Sequence, residues 1–147
     1  MSAHAADRGV AITVVRFPAT TRTAQDAAYQ IGCTVGEIVK SLVFLADGAA
    51  VVVLCSGADR VDEARLTTAL GASTVRRATA DEAKNATGFA IGGVPPFAHV
   101  ADLRVVVDDG LLAFDTVWAA AGLPDAVFPI APADLVRLSR GTVADVA

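Results

Sequence analysis

Residues 41–55, SLVFLADGAAVVVLC, constrain the fold more than any other stretch. Two apolar runs flank Asp47–Gly48, a pair suited to the positive φ angles of a two-residue hairpin turn. Neither run alternates between apolar and polar residues. Near-continuous apolar strands are covered on both faces, so this hairpin needs a layer on each side. The spacing therefore predicts paired central strands with further elements packed above and below.

The flanking sequence supplies those elements. ITVVRF, from Ile12, reads as a short strand ending before Pro18. In TAQDAAYQIG, Thr23 caps a helix and Asp26 stands in the capping-box place. Ala24, Ala27, Ala28 and Ile31 share one helical face, and Gly32 is the stop. A second helix is expected from about Arg60 to Leu70, closed by Gly71, and a strand over 73–77. Thr79 and Glu82 form a capping box for a third helix that Gly88 ends. FAIGGVPPFAHV is expected to start as a strand stub and break into a Gly-Pro loop. LRVVVD is a strand with Asp109–Gly110 as its turn. The stretch 111–124 is expected to begin strand-like and end in a short helical piece near Gly122. AVFPI is a strand, and APADLVRLSRG a helix with Pro132 in its first turn. There is no repeat and no linker. The expectation is one α/β domain over 11–147, a mixed sheet with packed short helices, preceded by a flexible tail over 1–10.

Composition narrows the partners. Of 147 residues, 54% are hydrophobic, which excludes a disordered charged chain. The formal net charge is −4, which argues against a DNA partner or a non-specific nucleic-acid coat, since both need a basic field. An RNA end needs only a local patch. No apolar run reaches the ~18 residues of a membrane span, and the N-terminus does not read as a signal peptide. Cys33 and Cys55 make no CxxC or zinc spacing, so no metal or cofactor is expected. They read as free buried thiols of a reducing, cytoplasmic compartment.

Two places carry candidate chemistry. Lys40 directly precedes an apolar strand, so its ammonium must be paired or reach a cleft. The plain alternative is a lysine snorkelling from a strand edge. In IGGVPP, residues 91–96, Gly92 and Gly93 permit close backbone approach and the prolines stiffen the exit. The N–H groups of Gly92, Gly93 and Val94 suit an oxyanion-type cradle, against the alternative of a tight connection. His99 is either a proton carrier or a strand-capping residue. No GxSxG, HExxH or paired carboxylate arrangement is present.

TAQDAAYQIGCTVGEIVKSLVF resembles the first block of the YbaK and prolyl-tRNA-synthetase-associated (ProX-like) aminoacyl-tRNA editing family. GFAIGGVPPFAH resembles its glycine-rich loop block, and DDGLLAFDTVWAAAGLPDAVFPIAPADLVRL its closing block. The resemblance covers nearly all of the chain from Phe17 onward. It implies a compact α/β domain around a strongly curved mixed sheet. It also implies an enzyme that hydrolyses the ester of mischarged aminoacyl-tRNA, with a small amino acid on tRNA for proline. The family lysine falls on Lys40 and the flexible loop on Gly92 to Pro95, with Ile91 and Val94 as substrate contacts beside it. Thr20 to Thr23 falls on a polar lip, which makes Thr20 and Thr23 substrate-binding candidates. Ala98 stands where many relatives carry glycine, which weakens the transfer of a catalytic role to His99. The implied partners are the acceptor end of mischarged tRNA and prolyl-tRNA synthetase, with no membrane. A non-catalytic module of the same fold, binding small ligands or protein, is the competing expectation.

Overall fold

The computed structural model describes residues 12–16, 23–123 and 125–147. The expected tail over 1–10 and Thr20 lie outside these.

The apolar hairpin forms as its sequence dictates. β2 (Val39–Ala46) and β3 (Ala49–Ser56) pair antiparallel from Val39↔Ser56 to Ala46↔Ala49. Asp47 (φ 50°) and Gly48 (φ 85°) make the turn in the left-handed region. The Asp47 carboxylate also accepts from the N–H groups of Ser73 and Thr74, which fixes the chain entering β4 (Val75–Arg77).

β2 and β3 lie inside a five-stranded mixed sheet of order β4-β2-β3-β5-β8, with β5 at Arg104–Asp108 and β8 at Thr142–Ala144. The β3–β5 and β5–β8 pairs are parallel. β1 (Val15–Arg16), β6 (Val117–Ala120) and β7 (Ala126–Ile130) form a three-stranded antiparallel sheet of order β1-β7-β6. Among the described residues a single isolated bridge, Ile38 to Trp118, joins the two sheets beside the start of β2.

Both faces of β3 are buried, as its uninterrupted apolar sequence requires. Val52 and Leu54 pack with Phe97, Phe128, Leu135 and Leu138 on one side. Val51 and Val53 pack with Phe44, Leu66 and Leu70 on the other. The second side is closed by α2 (Glu63–Leu70), capped by Asp62. α1 (Ala24–Ile31) buries Ala27 and Ala28, and the Thr23 hydroxyl accepts from the Asp26 N–H at its start. α3 (Ala80–Thr87) has the expected Thr79/Glu82 capping box, and α4 (Pro132–Ser139) starts on proline.

Two expectations are corrected. The alanine-rich stretch before Gly122 is the strand β6, not a helical piece. Val117 and Ala119 are fully buried while Trp118 and Ala120 are half-exposed, a period of two. Pairing with β7 outweighs the helix propensity of alanine there. The expected strand stub at the start of FAIGGVPPFAHV is likewise absent, and 89–103 is irregular throughout. Asp109–Gly110 opens a 3-10 turn over Asp109–Ala113. No helix among the described residues is long and apolar enough to cross a membrane.

Candidate functional site

β4 is only three residues long, and that brevity creates the site. Its ladder with β2 covers Phe44 to Ala46, while the described bridge to β6 lies at Ile38, just before β2 begins. Between these contacts the edge of β2 from Val39 to Val43 opens onto a cavity of about 640 Å³. α1 supplies one wall through Ala24 and Ala27. β4 and α3 supply another through Arg77 and Ala83, and Trp118, Ala120 and Val127 close the back. Ile91, Gly92 and Val94 form the lip. The volume falls within the range of small-ligand sites, about 300–1,000 Å³.

Lys40 enters this cavity from β2, and its Nζ donates to the Asp59 carbonyl. The turn after β3 presents that carbonyl. It is held by Asp59 N–H to Ser56 O (3.0 Å) and Gly57 N–H to Ile38 O (2.7 Å). Gly57 also lines the cavity, and a side chain there would meet the Val35 carbonyl at 2.6 Å and Ala24 Cβ at 2.8 Å. Arg77 is the second cation. Its guanidinium lies 5.5 Å from the Phe44 ring centroid. Phe44 and Arg77 are directly paired and share a sheet face with Lys40, four positions along β2. The described lining includes no Asp, Glu, His or Cys, so the local field is positive in a chain of net charge −4.

Cys55 lies across the ladder from Lys40. Burial pushes its thiol up to about 11, while Lys40 and Arg77 pull the other way and Asp108 and Asp59 add to the rise. The thiol is therefore protonated at neutral pH and is not a nucleophile. Both cysteines are free, and Cys33 is only half-buried, short of the expected burial.

Of the residues singled out from sequence, Lys40, Thr23, Ile91, Gly92 and Val94 meet at one cavity. Thr23 is committed there as the cap of α1. Gly93 and Pro95 sit just behind the lip. The Gly93 N–H donates to the Ala90 carbonyl (3.0 Å), while those of Gly92 and Val94 have no protein acceptor among the described residues. His99 lies elsewhere. It lines a separate cavity of about 270 Å³ with Ser139 and Arg140, and its Nε2 donates to the Pro95 carbonyl at 2.7 Å. Ala98, in the left-handed region at φ 63°, separates it from the buried Phe97. Arg77, Ser41, Gly57 and Trp118 are site residues that sequence reasoning did not find. Arg77 alone left a signal, as a basic pair with Arg76 at the end of a short strand.

The family model described as "Aminoacyl-tRNA editing domain" matches residues 18–138. A solved structure described as that of a candidate trans-editing enzyme for prolyl tRNA synthetase is 45% identical. It superposes with a TM-score of 0.87 over 92% of this chain and 85% of its own. The uncharacterized protein YwhH of Bacillus subtilis is 31% identical over 131 residues, 88% of this chain and 83% of that protein. A proline–tRNA ligase of Acidithiobacillus ferrooxidans is 32% identical over 112 residues. That match takes in 74% of this chain but only 20% of the ligase.

Proposed function

The chain belongs to the aminoacyl-tRNA editing domain family, and on that premise we propose that it is a cytoplasmic deacylase acting in trans on mischarged tRNA. The ester it cleaves joins a small amino acid to the acceptor end of tRNA for proline. The observation that carries this reading is the single cavity in which Lys40 and the Ile91–Val94 lip converge. Such a second site answers a physical need. A synthetase pocket rejects a slightly smaller side chain by only about 1–3 kcal/mol, so errors must be removed afterwards.

The geometry suggests a division of labour. The Lys40 ammonium, joined by Arg77, binds phosphate or ribose at the acceptor end and positions the ester. The Gly92 and Val94 N–H groups hold the ester carbonyl oxygen as negative charge develops on it. Gly93 keeps the turn closed through Ala90 and is not itself a donor to substrate. His99 supports the lip through the Pro95 carbonyl. Water adds to the carbonyl carbon and the ester bond breaks, releasing the amino acid and the free 3′ end. A backbone carbonyl or the substrate's own ribose hydroxyl orients the attacking water by hydrogen bonding, and the proton that water gives up passes to the departing 3′ oxygen, which leaves as a hydroxyl. Prolyl-tRNA synthetase is the synthetase whose errors such an enzyme removes.

The test is incubation with cysteinyl-, alanyl- and seryl-tRNA of the proline type. At least one ester is expected to disappear well above the buffer rate. No acceleration for any of the three would contradict the reading.

A further inference from the structure

Ser41 is the one buried side-chain polar atom among the described residues with no hydrogen-bond partner in the protein. Orphaned buried hydroxyls are rare because each costs about 1–3 kcal/mol. This one belongs to a residue lining the cavity, on the β2 edge that β4 and β6 leave open.

The backbone of Ser41 faces the same way. The Val43 carbonyl accepts from the Ala78 N–H (3.0 Å), on the side of β2 away from β3. Backbone groups alternate with a period of two along an antiparallel strand, so the N–H and C=O of Ser41 point toward that side as well. Ser41 thus presents two acceptor oxygens and two donors to one small volume.

We infer that Ser41 positions the aminoacyl group, with its hydroxyl and carbonyl oxygens accepting from the substrate's α-ammonium. This rests on the deacylase reading and deepens it. The described lining holds no carboxylate, so an ammonium must find neutral oxygens. It must also avoid Lys40 and Arg77. Adjacent strand residues point to opposite faces, so the Ser41 side chain lies across the strand from that of Lys40. Around it the wall is apolar, with Val39 and Val43 on the same strand face and Ala27 also in the lining, which suits an apolar side chain.

The sign of the stability effect separates this role from a structural one. A hydroxyl that bonds only to substrate contributes nothing to folding, so Ser41→Ala should melt at or above the wild-type temperature. Its kcat/KM on the best aminoacyl-tRNA should nonetheless fall about ten- to a hundredfold, the loss expected for a hydrogen bond to a charged group. Ser41→Thr, which keeps the hydroxyl, should recover most of that loss. The decisive probe is the matching α-hydroxyacyl-tRNA, which has the same shape without the positive charge. Wild type and Ser41→Ala should cleave it at equal rates. A lower melting temperature for Ser41→Ala, undiminished activity on aminoacyl-tRNA, or an undiminished Ser41→Ala defect on the α-hydroxyacyl ester would each overturn the inference. Wild-type protein inactive on every ester would instead overturn the deacylase reading.

Discussion

At the scale of single residues, the lip depends on a close backbone contact. A Cβ on Gly93 would come within 3.2 Å of the Gly122 carbonyl oxygen and of the Leu123 carbonyl carbon. A side chain there would press on the backbone of the turn at 122–123. Gly93→Ala should therefore stay folded, lose about 1–3 kcal/mol of stability to overpacking, and lose at least tenfold in single-turnover rate as the lip shifts. His99→Ala should cost less rate, because it acts through the Pro95 carbonyl. Melting curves beside single-turnover assays decide the matter, and a folded Gly93→Ala protein with wild-type rate would make the loop only a connector. Lys40 and the glycines were legible because their residue types are unusual where they stand. Ser41 was not, since a serine at the head of an apolar strand reads as ordinary until the gap beside it is seen. The displacement of His99 was equally hidden, because it follows from a left-handed φ at Ala98 that no L-residue advertises.

At the scale of elements, α3 connects stability to the site. Its capping box joins Arg76, Thr79 and Glu82, while Arg77 and Ala83 line the cavity. The Arg76 guanidinium beside Glu82, helped by the Thr79 N–H, pulls the Glu82 carboxyl down from its ordinary 4.5 to about 2. A carboxyl lowered by folding stabilises the native state above its unfolded pKa, and that contribution fades as pH falls toward the folded value. Glu82→Gln should thus melt below wild type at pH 7, with the gap narrowing below about pH 4.5 and closing near pH 2. A gap independent of pH would mean that the ionised pair contributes nothing to the cap. Helix ends were the most readable elements because their signals are local, as at Thr23, Thr79 and Pro132. The strand β6 was not, because its evidence lies in β7 and not in its own alanines.

At the scale of the whole molecule, the apolar hairpin and its two covering layers were legible in the sequence, but the break between sheets was not. The cavity lies between the end of the β4 ladder at Arg77 and the β6 bridge at Ile38, and strand lengths of that kind are set by tertiary packing. The same arrangement reconciles an acidic chain with the anionic substrate proposed above, since two cations face a cavity whose described lining holds no acid. Recognition confined to an RNA end needs no more than that.

The central claim is that this cavity hydrolyses an aminoacyl ester with the Lys40 charge as its anchor. It is tested most directly by single-turnover deacylation of the preferred mischarged tRNA with wild type, Lys40→Ala and Lys40→Arg, each with its melting curve. The account predicts a loss of at least a hundredfold in Lys40→Ala with a melting temperature close to wild type, and substantial recovery in Lys40→Arg. Equal turnover in Lys40→Ala and wild type would contradict it.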